Sequence, residues 1–225
     1  MGEVACFFAG GGSIPKFEGR LKQLLNIKGK PLMLHALEQV EARGILRDDI
    51  YIFTRSPEIF DAFKNYQTVL QPDHHKNLIQ SVYWSRRYWS KTEKTYLMLG
   101  DVVWTEWAMD ELFKQECFRF FGNVVNRGEE YFAWVLQPDH HFWFMQHAMI
   151  YLYYWHKGKT GGTCWLMYRS MIGKKKMDLL RTCPVEKELF YDIGEVGDRT
   201  QDCDNEADLP RLRKSIEEGY LCNVQ

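Results

Sequence analysis

The chain has 225 residues, of which 45% are apolar and 26% are charged, and its formal net charge is −1. This length and composition predict one globular domain, over residues 1–225, with a full hydrophobic core. The near-neutral charge argues against nucleic acid or an acidic membrane surface as a partner. Because Met1, Gly2 and Glu3 lead straight into an apolar run, the sequence predicts no N-terminal leader.

Six cysteines, at positions 6, 117, 164, 183, 203 and 222, form no Cys-x-x-Cys pair, which argues against a structural zinc site. Free thiols in a reducing compartment are the simplest interpretation, and they predict a cytoplasmic protein. The most apolar later stretch, residues 142–155, is too short to span a bilayer. Its aromatic side chains are expected in a core or an interface, and a homodimer is compatible with the sequence.

In the first half of the chain, apolar runs alternate with segments of helical periodicity. Strands are predicted over 4–9, 49–54, 68–70 and 95–99, and helices over 31–43, 56–64, 75–89 and 105–116. Pro31 suits the first turn of a helix, and Gly44 suits the end of that same helix. The alternation predicts an α/β domain with a mainly parallel sheet.

The second half is less regular. We predict strands over 131–136 and 163–168 and within 190–200, an apolar helix over 142–154, and a terminal helix over 206–218. Since no linker and no second type of composition interrupts the chain, a single domain is predicted.

A glycine-rich loop follows the first strand. Gly10, Gly11, Gly12 and Ser13 come directly after Ala9. Glycines free the backbone to turn several N–H groups toward one point, where a polyanion such as a triphosphate binds well. The loop is neither the phosphate loop of ordinary ATPases nor a dinucleotide fingerprint, because no Gly-Lys-Ser/Thr closes it and no helix opens directly after it.

Three segments together resemble the opening signature of the sugar-nucleotide pyrophosphorylase and cytidylyltransferase superfamily, which includes the molybdenum-cofactor guanylyltransferases. They are residues 9–12 (Ala-Gly-Gly-Gly), residues 22–25 (Lys-Gln-Leu-Leu) and residues 27–32 (Ile-Lys-Gly-Lys-Pro-Leu). The resemblance implies a three-layer Rossmann-like domain with a mainly parallel, mixed central sheet. It also implies a nucleotide-binding half over about 1–115, and a half over about 116–225 with the acceptor site and a C-terminal metal-binding segment.

The resemblance assigns a lysine to the triphosphate, and the chain offers two. The family has an arginine after its glycines, where this chain has Ser13 and Ile14, and a proline before its lysine, where this chain has Leu21. The chain's one Pro-Lys pair ends in Lys16. Lys22 is preferred, with Lys16 as the alternative. Backbone atoms of Ala9, Gly10, Gly11, Gly12 and Ser13 would complete the phosphate site.

Asp101 follows the strand predicted over 95–99. In open α/β sheets, ligands bind beyond the carboxyl ends of the strands. The segment Leu-Gly-Asp-Val at 99–102 resembles the family's strand-end aspartate, which binds Mg²⁺. The alternative is an aspartate that caps the helix predicted at Thr105 or starts a turn.

A second acidic segment, residues 202–209, resembles a C-terminal box of the family. In this comparison Asp204 takes the position that completes the Mg²⁺ site, and Asp202 is its rival because the spacing differs by a residue. Mg²⁺ needs few protein carboxylates when phosphate oxygens also bind it, so Asp101 and Asp204 would suffice.

Ser81 matches the serine of a base-recognition stretch in the cytidylyltransferases, although the arginine of that stretch is missing; an ordinary amphipathic helix is the alternative. The pentapeptide Gln-Pro-Asp-His-His occurs at 71–75 and again at 137–141. Strand-to-helix turns are the favoured interpretation, a transition-metal site the alternative. The second copy falls where the family places contacts to the acceptor.

The sequence therefore predicts a Mg²⁺-dependent nucleotidyltransferase. It would join a nucleoside monophosphate from a nucleoside triphosphate, CTP or UTP favoured, to a phosphorylated small molecule such as a sugar or polyol phosphate, and release pyrophosphate. Lys22 and Asp101 are its predicted catalytic residues. The alternative is a nucleotide-sugar glycosyltransferase, or a non-catalytic nucleotide-sugar-binding protein, of the same fold.

Overall fold

The computed structural model describes residues 2–9, 21–125 and 128–158, together with residues 167, 171, 190–192, 201–202, 210 and 213. The strands are β1 Val4–Ala9, β2 Asn26–Ile27, β3 Lys30–Pro31, β4 Ile50–Thr54, β5 Gln67–Leu70, β6 Thr95–Leu99, β7 Val102–Val103, β8 Arg119–Val125, β9 Gly128–Leu136, β10 Phe190–Asp192 and β11 Gln201–Asp202. The α-helices are α1 Leu32–Ala42, α2 Pro57–Ala62, α3 Leu78–Ser85, α4 Glu106–Phe113 and α5 His141–His156.

Seven of the described strands form one sheet, in the order β10-β8-β9-β6-β1-β4-β5. Within this sheet β9 is antiparallel to both of its neighbours, and the other pairs are parallel. The predicted fold class, an α/β domain with a mainly parallel, mixed sheet, is confirmed.

Both faces of the sheet are covered, because successive side chains of a strand point to opposite faces. In β1, Ala5 and Phe7 join a buried cluster with α1, α2 and α4, whereas Cys6 and Phe8 join a second cluster with α3 and α5. Helices therefore lie on each side of the sheet, in three layers. Among the described residues, no helix is both long and apolar enough to cross a membrane.

Most of the predicted elements are confirmed, and the errors have local causes. The helix predicted over 75–89 begins later, since Asn77 caps α3 in a reciprocal arrangement with Gln80. Strand β8 was not predicted, because Gly122 and a register shift interrupt its pattern. The strand predicted over 163–168 is wrong at Met167, which is helical; its other residues lie outside the described part of the chain.

One end of the sheet collects the carboxyl ends of β1, β4, β5 and β6. The chain passes from β1 outward through β4 to β5 and then crosses to β6 on the other side of β1. The order of strands therefore reverses between β1 and β6, and such a switch point is where α/β sheets bind ligands. We refer to this end as the switch edge.

Candidate active site

Gly100 brings β1 and β6 into close contact at the switch edge. Its N–H donates to the carbonyl of Phe8 at 3.0 Å. A Cβ at this position would lie 2.8 Å from Sδ of Met33 and 3.2 Å from Cβ of Ala9, so only glycine fits. The residue after Gly100 consequently emerges beside the point where the chain leaves β1.

That residue is Asp101, and it forms an ion pair with Lys22. Nζ of Lys22 lies 2.7 Å from Oδ2 of Asp101, and the two side chains are 9% and 16% exposed. Lysine is rarely so buried without an opposite charge. The structure thus brings together the two residues that the sequence singles out for catalysis, across 79 positions of chain (101 − 22).

The backbone around Lys22 fixes its position. Residues Lys22–Leu24 form a 3₁₀ turn in which Leu24 N–H donates to Leu21 O at 2.9 Å. The buried side chains of Leu21 and Leu25 flank the turn and anchor it. Residues 10–20 lie outside the described part of the chain, so the predicted contacts of Gly10, Gly11, Gly12, Ser13 and Lys16 cannot be placed.

Asp101 does not cap the following helix, so that part of the alternative is wrong, although Asp101 does lie in a turn after β6. The cap of α4 is Thr105, whose side-chain oxygen accepts from Ala108 N–H at 3.1 Å. The Asp101 carboxylate is instead directed to Lys22 at the switch edge, where it can take part in binding.

The far end of the chain returns to the same place. Strand β11 pairs antiparallel with β7, so that Asp202 lies opposite Val102 and Gln201 opposite Val103. The acidic segment 202–209 therefore begins opposite Val102, the residue that follows Asp101. Asp204 lies outside the described residues.

The donor set at this edge fits Mg²⁺. A carboxylate is the hard oxygen ligand that Mg²⁺ prefers, and Asp101 supplies one. Within the part of the chain that the structure describes, no group of three or more His, Cys, Asp or Glu side chains could hold a metal ion. An aspartate such as Asp101 suits a cation that takes several of its other ligands from a bound triphosphate.

Gln71 is a candidate that the sequence did not reveal. It follows β5 directly, and its N–H donates to Thr54 O at 2.7 Å, which holds it at the switch edge. Its side-chain Oε1 accepts from Ser81 Oγ at 2.9 Å. The side chain is 5% exposed, yet its Nε2 has no hydrogen-bond partner among the described residues. The sequence signal that could have identified Gln71 is its position immediately after a parallel strand.

In the Gln71–Ser81 hydrogen bond the amide oxygen of Gln71 is the acceptor. Since Oε1 receives the hydroxyl proton, Nε2 is left with its donors directed away from Ser81. A buried donor without an acceptor costs free energy that a bound ligand can recover. Ser81 and Gln71 therefore form a polar pair that can donate a hydrogen bond to a carbonyl oxygen of a ligand.

The two Gln-Pro-Asp-His-His segments lie at opposite ends of the sheet. Residues 71–75 follow β5 at the switch edge. Residues 137–141 follow β9, whose last residue, Leu136, pairs with Thr95 at the start of β6. Because β9 is antiparallel, the second copy lies at the end of the sheet away from Asp101, and contacts to the acceptor there stay a prediction.

In the first copy, His75 is buried against Trp84, with ring centroids 5.9 Å apart. Burial, with smaller contributions from His74 and Arg55, lowers the pKa of His75 below its ordinary value. The ring is therefore neutral at physiological pH and forms part of the wall next to Gln71.

Residues 5–142 of the chain match the family model of the MobA-like NTP transferase domain. A comparison with curated protein sequences gives no significant match.

Solved structures share the fold over nearly the whole chain. A Bacillus anthracis protein assigned as a glucose-1-phosphate thymidylyltransferase has a TM-score of 0.63 at 12% identity, over 99% of this chain and 97% of its own. The CTP:phosphocholine cytidylyltransferase of Streptococcus pneumoniae has a TM-score of 0.59 at 15% identity, over 95% and 99%. A nucleotidyl transferase from Methanothermobacter has a TM-score of 0.63 at 13% identity, over 96% and 98%.

Proposed function

The chain belongs to the MobA-like NTP transferase domain family and is a nucleotidyltransferase, and on this premise we propose its reaction and the residues that perform it. In this proposal it is Mg²⁺-dependent and transfers a nucleoside monophosphate from CTP or UTP to a phosphorylated small molecule such as a sugar or polyol phosphate. The observation that carries the proposal is the contact between Lys22 and Asp101 at the switch edge.

The triphosphate binds over the end of β1. Backbone N–H groups of the segment from Gly10 to Ser13 bind phosphate oxygens, and Ala9 places the start of that loop at the sheet. The Lys22 ammonium binds the charge that builds on the triphosphate during transfer. Its burial supports this role, since a desolvated ammonium acts more strongly on phosphate than a hydrated one.

Asp101 and Asp204 are the residues that would hold Mg²⁺. When bound, the ion supplies charge neutralisation and orientation of the phosphates. The proximity of β11 to Asp101 supports a second ligand from the acidic C-terminal segment. In the absence of nucleotide, Lys22 compensates the charge of Asp101; we propose that Lys22 exchanges this partner for phosphate oxygens when the triphosphate binds.

The chemical step balances without a general base. An acceptor phosphate oxygen attacks the α-phosphorus, a new P–O bond forms, and the bond to the bridging α–β oxygen breaks so that pyrophosphate leaves with the electron pair. The attacking oxygen is already largely ionised near neutral pH, because the second pKa of a phosphate monoester is about 6. Lys22 and the loop need only position the groups and stabilise charge.

The Gln71–Ser81 pair favours binding of a nucleobase that has a carbonyl group. The Nε2 of Gln71 donates to such an oxygen, which cytosine and uracil carry and adenine does not. Guanine also has a carbonyl oxygen, so this contact disfavours ATP without separating guanine from the pyrimidines.

The glycosyltransferase alternative gains no support from the switch edge. Those enzymes carry an Asp-x-Asp after the strand, and here the second aspartate would be Val103. Val103 is buried and pairs with Gln201 in β11, so no ligand reaches its position.

The test is pyrophosphate release with each of the four nucleoside triphosphates, Mg²⁺, and a panel of sugar and polyol phosphates. Release that requires an acceptor phosphate and is fastest with CTP or UTP supports the proposal. Binding of a triphosphate without turnover for any acceptor supports a non-catalytic protein instead, and preference for ATP contradicts the role of Gln71.

A further inference from the structure

The outward face of α5 carries no formal charge along its whole length. Its 16 residues include no Asp, Glu, Lys or Arg, whereas 26% of the chain is charged, so about four would be expected at the average composition. The inward face, with Phe144, Ala148 and Tyr151, is buried in the core. A helix that is apolar on both its inward and its outward face is normally buried, with protein packed against each face.

Large apolar side chains are exposed on this outward face. Phe142 is 74% exposed, Met149 56%, Ile150 44% and Tyr153 59%. Their spacing of three, four and seven residues places them on one stripe of the helix. Helices α1 and α4 differ: α1 carries Glu38 and Glu41, and α4 carries three acidic residues.

A groove of about 370 Å³ runs beside the stripe, between α3 and α5. Tyr83, Arg86 and Trp89 line one wall, and Phe142, Met145 and Met149 line the other. Arg86 is the charged residue of the lining. Its Nη1 donates to Tyr83 O at 2.8 Å, and its guanidinium lies 4.2 Å from the centroid of the Tyr83 ring.

The groove is lined by residues from Tyr83 onward at the C-terminal end of α3 and by residues 141–149 of α5, on the side away from Asp101. Helix α5 follows β9, which ends beside Thr95 at the start of β6, whereas Asp101 follows the end of β6. An occupant of the groove therefore lies at the end of the sheet opposite to Asp101.

We propose that the α5 stripe and the adjoining groove are the contact surface for a second copy of this chain. In a two-fold symmetric dimer the same patch is used by both copies, so residues near the axis meet their own equivalents. A charged residue there would face an identical charge. A stripe without any Asp, Glu, Lys or Arg avoids that repulsion, and the groove beside it accepts side chains from the partner's stripe.

The available area predicts a dimer of moderate affinity. At the areas typical of such side chains, the four exposed residues offer on the order of 400 Å² per copy, and the groove walls add to this. Two copies then bury about 1,000 Å² or somewhat more, near the lower limit for a specific interface. Because association is bimolecular, the equilibrium should depend on protein concentration.

Sedimentation velocity over a roughly hundredfold range of concentration tests this proposal. We expect the wild-type protein to shift from monomer to dimer. Met149→Glu places two like charges in the interface and should weaken association at least about tenfold. Leu46→Glu is the matched control, because Leu46 is 69% exposed, lies in the loop after α1 and should leave association unchanged.

Phe142→Glu guards against misfolding, since a side chain that is 74% exposed is not needed in the core. Both variants should keep the melting temperature of the monomer. A wild-type chain that stays monomeric at the highest concentration overturns the proposal. So does a dimer that survives Met149→Glu and Phe142→Glu alike, or one that Leu46→Glu dissociates equally.

Discussion

Lys22 Nζ and Asp101 Oδ2 lie 2.7 Å apart at the point where the order of strands reverses, and both side chains are largely shielded from water. The two residues are far apart in the sequence. Strand β6 leads to Asp101, and its parallel pairing with β1 places Asp101 beside the end of β1. The 3₁₀ turn at Lys22–Leu24 presents Lys22 to the same point.

Asp101→Asn should abolish pyrophosphate release and lower the stability only moderately. The amide keeps the shape but removes the charge that would bind Mg²⁺ and that compensates Lys22. Leaving a shielded ammonium without its carboxylate costs on the order of a few kcal/mol at most. Turnover and thermal denaturation are the two measurements.

Asp48→Asn is the control for this substitution, because Asp48 is exposed and lies before β4 at the opposite end of the sheet. Normal turnover by Asp101→Asn would mean that the carboxylate is structural and that the metal site lies elsewhere.

Lys22→Ala should reduce turnover far more than Lys16→Ala. Loss of a group that stabilises charge in the transition state costs on the order of 10²–10³ in rate. The double substitution Lys22→Met with Asp101→Leu separates stability from catalysis, since replacing both charges by apolar groups removes the unpaired ion. We expect its melting temperature to exceed that of Asp101→Asn while it stays inactive. A larger effect at Lys16 would transfer the triphosphate contact to that residue.

The sequence predicted the site in part, for physical reasons that differ between residues. Asp101 was found because it follows an apolar strand, and parallel strands present their carboxyl ends together. Lys22 was found through the resemblance of residues 22–25 to the family's lysine element. Gln71 was missed because its role depends on a hydrogen bond to Ser81 ten positions later and on burial, which a single sequence does not reveal. The direction of β9, which moves residues 137–141 away from the site, follows from strand pairing and not from local pattern.

Gln71→Leu should weaken triphosphate binding about tenfold or more while it changes the melting temperature of the unliganded protein little. The substitution removes a buried donor that has no partner among the described residues, which offsets the lost bond to Ser81. Ser81→Ala should weaken binding less, because the amide remains but loses its orientation. Isothermal titration with CTP, UTP and ATP measures the selectivity; an equal loss for ATP would contradict contact with a base carbonyl.

Acidification should destabilise the protein through its buried histidines. Burial lowers the pKa of His75, His141 and His147, so the unfolded chain binds more protons than the folded one. Stability from these groups is therefore complete above the ordinary histidine pKa of about 6.5 and is lost as the pH falls toward their folded-state pKa values.

The measurement is the melting temperature between about pH 7.5 and pH 5. His75→Gln should reduce the slope of this dependence, whereas His74→Gln should reduce it less, because His74 is exposed and makes only a smaller contribution to the lowered pKa of His75. An unchanged slope in His75→Gln would show that this ring does not contribute.

The acidic C-terminal segment gives the last prediction. Because β11 pairs with β7, the chain returns to within one residue of Asp101 before the segment 202–209 continues. If Asp204 completes the Mg²⁺ site, Asp204→Ala should weaken Mg²⁺-dependent triphosphate binding and leave the melting temperature of the unliganded protein nearly unchanged. Asp202→Ala is the control, because the spacing of the segment leaves Asp202 as the rival of Asp204.

Removing the residues after about Phe190 should abolish binding altogether, since it takes away both β11 and the acidic segment. Titrations with and without Mg²⁺ distinguish these outcomes. If neither aspartate alters the affinity in Mg²⁺, the metal is held by Asp101 and the phosphates without help from this segment.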